Sequence, residues 1–575
     1  MVKVVTVEQM RAIEKATDAA GVSYNDMMQY AGRAVAEVVK RVLGKESAGK
    51  RVAVLVGPGN NGGDGLVAAR ILREETQAEV GCYLLKPRTE DDKVFVAARD
   101  AGVFMAVAAD DQRWRVLKNL VSAADVVVDA LLGTGARLPI AGDMEKVLRN
   151  AATALERSPF GPAEPRAQMV WPAVPQAPAP RRAVVVAVDC PSGLDCDSGA
   201  LDPATIPADY TVTFAAAKHG QLIFPGAAAV GELIVADIGT PPGLPELDAV
   251  RVELATAEGV GEMLPPRPLD AHKGTFGRVV VLAGSVNYTG AATLAAEAAY
   301  RVGAGLVTLA VPEAIQPVLA AHLREATWLL LPHDMGVLNA DALEVLREEV
   351  GEYDALLLGP GLGRAEPVAE FMRGFFEGPE QAKKGSIGFV APARAGVQTG
   401  RFQLHAPLVI DADGLNLLAE IEGWWRLLPD GTILTPHPGE MARLSNLDRE
   451  AIQADRIGVA SQKAAEWGCV VVLKGAFTVV AEPSGRVVVI PFATDALATA
   501  GTGDVLSGCI AGLLAQHLPP FEAAVVGAYL HGLAGRIAAE KGSSRSVVAG
   551  DVLAALSAAL ARIDPRSFHQ EGFGG

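Results

Sequence analysis

The chain has 575 residues, of which 50% are hydrophobic and 21% charged, with a formal net charge of −16. That length exceeds what one hydrophobic core ordinarily serves, so at least two domains are expected. The acidic balance excludes a generic nucleic-acid binder, which needs a basic footprint, and no apolar run reaches bilayer-spanning length, so neither nucleic acid nor membrane is an expected partner.

The first residues, "MVKVVTVEQMRAIEKATDAAG", place charges at helical intervals and offer no apolar export segment, so a cytoplasmic protein is expected. Cys82, Cys190, Cys196, Cys469 and Cys509 form no CxxC pair and fit reduced thiols. The histidines are scattered without zinc spacing. Thr6 and Gln9 stand at capping-box spacing and predict a first helix. Short β-rich runs then alternate with Ala-rich helical stretches: "RVAVLVG", "EVGCYLL", "DVVVDALLG", "AVVVAVDCPSG" and "YTVTFAA". A second series begins near residue 275 with "GRVVVLAGS", "GLVTLAVP", "YDALLLGPGLG", "PLVIDADG", "TILTPHPGE" and "CVVVLKG". Such alternation predicts parallel strands with helical crossovers. Between the series, the Pro/Gly-rich "GTPPGLPELDAV" suits a linker. The expected architecture is α/β throughout, with one domain over residues 1–240, a linker over 241–264 and a second domain over 265–565. Residues 157–182, rich in Pro and Arg, and residues 379–406, which lack any period, predict irregular surface inserts without recognisable chemistry.

In "VLVGPGNNGGDGLVAAR", residues 54–70, Gly57, Gly59 and Gly62 satisfy GxGxxG between a strand and a helix. A dinucleotide fold of the usual kind also wants an acidic residue ending the next strand. Here "AEVGCYLLKP" ends in Lys86 and Pro87, and no Gly-Lys-Ser/Thr follows the glycines to make a P-loop. Asp129, Asp189 and Ser192 close other strands, and such ends converge on one crevice in an open parallel sheet. Asn61, Asp129 and Ser192 are hard oxygen donors suited to an alkali or alkaline-earth cation, and Asp189 could act as a general acid or base. Each aspartate taken alone is more often a helix cap or turn residue.

"GPGNNGGDG", "DALLGTGARLP" and "VDCPSGLD" resemble the NAD(P)H-hydrate epimerase domain, also called the YjeF N-terminal domain, from about residue 5 to residue 240. The resemblance implies a Rossmann-like three-layer domain that interconverts the R and S epimers of hydrated NADH and NADPH with a bound potassium ion. It also implies that Asn60, Asn61, Gly62, Gly63, Asp64 and Asp189 contact the hydrate, together with Gly133, Thr134, Gly135, Ala136, Arg137, Leu138 and Pro139. Asn61, Asp129 and Ser192 would hold potassium. One departure is "MMQYAG" at 27–32, where the family carries an acidic or Asn-containing version.

In the second half, "ATAGTGDVLSGCIAGLLAQ" leads small residues, Gly501 and Gly503 into a helix whose first N–H groups would face an anion, with Asp504 at the mouth. A carboxylate there can take a hydroxyl proton while the donors stabilise charge on a phosphoryl group. Lys474 ends the strand "VVVL", His437 and Glu440 sit at a strand-to-helix junction, and Gly361, Gly363, Asp411 and Asp413 close two further strands. Together with "HKGTFGRVVVLAGS" and "GAATLAAEAAYRVGAGLVTLAVP", these resemble the ribokinase-like superfamily and, within it, the ADP/ATP-dependent NAD(P)H-hydrate dehydratases, over residues 265 to 562. The family's Asn-Pro-Gly before the glycine loop reads "TDALATAGTGD" here. The resemblance implies that Lys474, Gly475, Ala476, Phe477, Thr478 and Gly503 bind ADP or ATP, and that Ala291, Gly361, His437 and Asp504 face the hydrate. Asp504 would be the base that lets the ring hydroxyl be phosphorylated before phosphate leaves. Magnesium is expected on the nucleotide phosphates. The expected function is bifunctional repair of both hydrates, NADHX and NADPHX, by a homo-oligomer. The alternative is a small-molecule kinase releasing a stable phosphoester, with the first domain a regulatory or protein-binding module.

Overall fold

The computed structural model describes residues 1–156, 183–349, 353–378, 404 and 406–564. The segment 157–182, and 379–406 apart from residues 404 and 406, lie outside the described residues. The chain divides into two compact units, Val2–Val250 and Arg251–Gly575, with Met1 in the second.

In the first unit, β1 (Val2–Val5) leads to α1 (Val7–Ala19), where Thr6 and Gln9 do form a reciprocal capping box. After α2 (Tyr24–Leu43) come β2 (Arg51–Val56), α3 (Asn60–Glu75), β3 (Glu79–Leu84), α4 (Lys93–Asp100) and β4 (Phe104–Val107). The chain continues through α5 (Arg115–Ser122), β5 (Val126–Ala130), α6 (Gly142–Glu156), β6 (Val184–Val188), β7 (Tyr210–Phe214), β8 (Ala217–Lys218) and β9 (Glu232–Ala236). Seven of these strands form a parallel sheet in the order β4-β3-β2-β5-β6-β7-β9, while β8 pairs with β1. Along β2, Val52, Val54 and Val56 enter one core and Ala53 and Leu55 the other. Both faces are covered, so these strands read as continuous apolar runs.

The second unit holds β10 (Val252–Leu254), β11 (Arg278–Leu282), α7 (Thr289–Arg301), β12 (Leu306–Pro312), β13 (Thr327–Leu331), β14 (Ala355–Leu358) and β15 (Leu408–Ile410). There follow β16 (Ile433–Leu434), α8 (Pro438–Ser445), β17 (Val470–Leu473), β18 (Val479–Ala481), β19 (Val487–Val489), α9 (Thr502–Ala515) and α10 (Pro520–Glu540). Its strands run β13-β12-β11-β14-β15-β16-β17-β18-β19-β10. All pairs are parallel up to β17, and β18 is antiparallel to both its neighbours. Val279 and Val281 face one core, Val280 and Leu282 the other.

The stretch 241–264, expected as a linker, carries structure of its own. Leu244 and Val250 are buried in the first unit's core around a helical turn at Pro245–Asp248, and Val252–Leu254 is a sheet strand. Prolines and glycines suggested a tether, but the apolar residues spaced among them find burial. All five cysteines are free and buried. Among the described residues no helix is long and apolar enough to cross a membrane.

Candidate active sites

The first sheet changes direction beside β2. The chain leaves β2 for β3 and β4 on one side, then returns to β5 on the other. Loops after β2 and β5 therefore part, opening a crevice at their C-terminal ends. Glycine is required where backbones nearly touch: a Cβ on Gly57 would lie 1.9 Å from the Leu131 carbonyl oxygen, and one on Gly62 would lie 2.0 Å from that of Gly57. Asn60, Asn61, Gly62, Gly63 and Asp64 form the start of α3, whose N-cap Gly59 offers no side-chain cap. The first N–H groups therefore have no side-chain cap, the arrangement in which a helix start can bind an anion. Arg88 braces this loop by donating to the carbonyls of Gly57 (2.8 Å) and Gly59 (3.0 Å), a role that sequence reading missed.

Asp129 and Ser192 meet directly. Ser192 donates to the Asp129 carboxylate through Oγ (2.6 Å) and through its backbone N–H (2.9 Å). Asp129 is 1% exposed, and burial raises its pKa against the opposing pull of these hydrogen bonds. The same Ser192 Oγ accepts from the backbone N–H of Leu132 (2.9 Å), next to Gly133. A Cβ on Gly133 would stand 3.0 Å from Asn61 Oδ1 and 3.1 Å from Asp189 Oδ2. The turn from Gly133 to Pro139 thereby links Asn61, Asp189 and the Asp129–Ser192 pair. Within it, Ala136 donates to the Gly133 carbonyl (3.2 Å), and Gly135, Arg137 and Pro139 are exposed.

Asp189 adopts a left-handed backbone conformation (φ 64°), a strained choice for a non-glycine residue. Its Oδ1 pairs with Lys218 Nζ at 2.7 Å. Lys218 was not foreseen: its only sequence signal is a lysine closing the small, apolar run "FAAAK" after β7. The adjoining cleft is lined by Glu14, Met27, Met28, Asn60, Asp64 and Phe214, so the departing "MMQ" sequence supplies an apolar wall. Burial raises the pKa of Asp64 well above the carboxylate range, and Asp189 and Glu14 add to the shift. Glu14 is raised by burial and then by Asp189, with Lys218 and Arg11 opposing.

In the second unit, Asp411 follows β15 and Lys474 follows β17, the neighbours but one in the sheet. Lys474 Nζ lies 2.6 Å from Asp411 Oδ1 and 3.6 Å from Glu440 Oε2. Burial alone would lower the lysine's pKa, but Asp411 and Glu440 raise it on balance. A Cβ on Gly503 would lie 3.6 Å from Lys474 Nζ and 4.0 Å from Asp411 Oδ2. This places the ion pair at the N-terminal turn of α9, which starts from the left-handed Gly501 (φ 89°). Asp504 sits in that turn, and burial, then Asp411, push its pKa to about 7 against the opposing charge of Lys474. Glu440 also reaches about 7, through burial and Asp411, with Lys474 opposing.

His437 caps α8, its Nδ1 accepting from the N–H groups of Gly439 (2.9 Å) and Glu440 (3.3 Å). Burial and then Lys474 hold its pKa near 4, so it is neutral at pH 7 with Nε2 3.4 Å from Glu440 Oε1. Gly361 (φ 64°) packs beside Ala291, which a Cβ there would approach to 2.8 Å. Gly475 and Ala476 are exposed beyond β17, and Phe477 turns back with φ 51°. Thr478 Oγ1 donates to the Gly475 carbonyl at 2.9 Å. Arg456, unremarked in the sequence, donates to the carbonyls of Leu473 (2.9 Å) and Lys474 (3.2 Å) behind this loop. Among the described residues no group of three or more His, Cys, Asp or Glu is placed to hold a metal ion.

Residues 24–220 match the family described as YjeF-related protein N-terminus, and residues 279–557 match that described as NAD(P)H-hydrate dehydratase. The bifunctional NAD(P)H-hydrate repair enzyme Nnr of Moorella thermoacetica is 38% identical over 537 residues, covering 92% of this chain and 90% of that one. The enzyme of the same name from Escherichia coli is 32% identical over 556 residues, covering 95% and 91%. A solved Bacillus subtilis ADP/ATP-dependent NAD(P)H-hydrate dehydratase, co-crystallised with ATP/Mg2+, is 30% identical with a TM-score of 0.44, covering 55% of this chain and 100% of that one.

Proposed function

The chain belongs to the bifunctional NAD(P)H-hydrate repair enzymes, and from that premise we propose how its residues divide the work. The first, Rossmann-like unit interconverts the R and S hydrates of NADH and NADPH. The second, ribokinase-like unit dehydrates the S form with an adenine nucleotide as phosphoryl donor. The observation that carries this reading is Asp504, held at a pKa of about 7 in the first turn of α9 beside the Lys474–Asp411 pair. A carboxylate raised toward neutrality is a stronger base than an ordinary one and still loses its proton near neutral pH. Asp504 takes the proton of the hydroxyl on ring carbon C6 as that oxygen bonds to the terminal phosphorus and the phosphoanhydride bond breaks. Lys474 and the α9 N–H groups offset the charge on the transferred group. Departure of phosphate from C6 with loss of a C5 proton restores the dihydronicotinamide double bond. Lys474, Gly475, Ala476, Phe477, Thr478 and Gly503 would hold the nucleotide, and Ala291, Gly361 and His437 the hydrate.

Magnesium fits one feature of this site. Asp411 Oδ2 is buried and, among the described residues, has no hydrogen-bond partner. One carboxylate with phosphate oxygens and water is a usual magnesium environment, and the ion would neutralise charge on the phosphates. Potassium fits the first unit. Asp129 is a buried carboxylate beside the Ser192 hydroxyl, with no cationic side chain acting on it among the described residues, and Asn61 lies near Gly133 in the turn that follows β5. One such charge among neutral oxygens suits a monovalent ion better than a divalent one. Asn61, Asp129 and Ser192 would hold it, and it would supply fixed positive charge near the substrate diphosphate.

The decisive assay gives the protein hydrated NADH or NADPH with ADP or ATP and follows the return of dihydronicotinamide absorbance. Recovery of the absorbance with release of inorganic phosphate is expected. Accumulation of a stable phosphoester instead would show a small-molecule kinase. Epimerisation in the absence of nucleotide is expected to require potassium, and Asp129→Ala should remove that dependence and weaken hydrate binding. Equal rates in potassium and lithium for the unaltered protein would remove the cation site.

A further inference from the structure

Asp189, Thr213, Lys218 and Gln221 form a buried polar network behind the first crevice. Their exposures are 8%, 0%, 1% and 1%. Lys218 Nζ donates to Asp189 Oδ1 (2.7 Å), Thr213 Oγ1 (2.7 Å) and the Phe214 carbonyl (3.2 Å). Those three bonds use every proton of the ammonium group, leaving none for a ligand. Thr213 Oγ1 in turn donates to Asp189 Oδ1 at 3.0 Å. Gln221 closes the frame, donating from Nε2 to the Asp189 carbonyl (2.8 Å) and accepting from the Lys218 backbone N–H (2.8 Å). One oxygen of Asp189 is therefore held twice, while the other, Oδ2, lies toward Gly133 and Asn61 in the substrate crevice.

We propose that Lys218, acting with Thr213, is a positioning residue for epimerisation: it tethers Oδ1 of Asp189 so that Oδ2 stays directed into the substrate crevice. This rests on the epimerase reading and on Asp189 as the acid/base group. A buried ion pair of this kind contributes little net stability, because removing two charges from water offsets their attraction. Its value lies in orientation. Asp189 also sits in strained backbone and shares its surroundings with the carboxyls of Glu14 and Asp64. The bonds from Lys218 and Thr213 fix that side chain among these neighbours. Lys218 stays charged in this setting: burial would lower its pKa, but the charge of Asp189 raises it on balance.

The test uses the full chain, following R-to-S conversion of hydrated NADH chromatographically without nucleotide. Lys218→Met should lower kcat roughly tenfold to a hundredfold, the range of a misplaced acid/base group, with KM changed by less than about threefold. Thr213→Val should lower kcat in the same way, and Thr213→Ser, which restores the hydroxyl, should recover it. In an Asp189→Asn background, Lys218→Met should cost nothing further, since two residues acting through one group are not additive. If Lys218→Met fails to melt cooperatively, the Thr213 pair decides. Normal kcat in Thr213→Val and in folded Lys218→Met, with Asp189→Asn inactive, overturns this inference alone. A full additional loss in the Asp189→Asn background also overturns it. Normal turnover in Asp189→Asn removes the acid/base assignment of Asp189, and the inference falls with it.

Discussion

Asp504→Asn is expected to lower nucleotide-dependent dehydration by roughly two orders of magnitude or more, as loss of a general base does. Nucleotide affinity should change little, because asparagine keeps the size and polarity of the residue in the first turn of α9 while lacking a basic oxygen. Single-turnover rates and nucleotide titration of the same protein separate the two effects. The pH dependence follows from the same group. Asp504 works deprotonated, and its pKa stands near 7 because burial and Asp411 penalise the charge more than Lys474 favours it. For the unaltered protein, kcat/KM should therefore fall about tenfold per pH unit below 7 and level off above it. Glu440 titrates in the same range, so Glu440→Gln provides the control. The acid limb should survive that change if it belongs to Asp504. A flat profile between pH 5 and 8, or near-normal turnover in Asp504→Asn, would exclude Asp504 as the base.

Lys474→Met carries the second large effect, and it joins stability to binding. Lys474 is the cation beside two buried carboxylates, Asp411 at 1% and Glu440 at 5% exposure. Removing one partner of a buried pair strands the other, which costs roughly 3–5 kcal/mol. Denaturant unfolding should show that loss, and nucleotide binding should weaken because a charge facing the phosphates is gone. Lys474→Met/Asp411→Asn should regain much of the stability, since no unpaired charge is left at Asp411, but should not regain the nucleotide affinity. A Lys474→Met protein as stable as the parent would mean that Asp411 finds its compensation elsewhere.

Much of this was legible because glycine loops and strand ends announce themselves locally. "GPGNNGGDG" marks a point where backbones approach more closely than a side chain allows, at Gly57 and Gly62, and "AGTGD" places Gly501 in left-handed backbone, both of which favour glycine. Apolar runs flanked by such loops likewise mark buried parallel strands. Within the stretch 241–264, where the boundary between the two units falls between Val250 and Arg251, proline and glycine signalled a tether but did not show that Leu244 and Val250 carry enough apolar surface to be drawn into a core.

Residue types and their spacing along the chain determined the α/β class, the two glycine-rich anion loops and the aspartates at strand ends, because each depends on a few consecutive residues and on backbone geometry. Tertiary structure alone decided which charges face each other. Lys218 lies 29 residues from Asp189, yet its ammonium meets that carboxylate at 2.7 Å. Asp411 and Lys474, 63 residues apart, meet at 2.6 Å. Protonation follows from these pairings. A carboxyl's pKa is set by how far water is excluded and which charges replace it, and both depend on packing between distant segments. That is why "GTGD" places Asp504 at a helix mouth, while only the folded sheet brings its pKa to about 7.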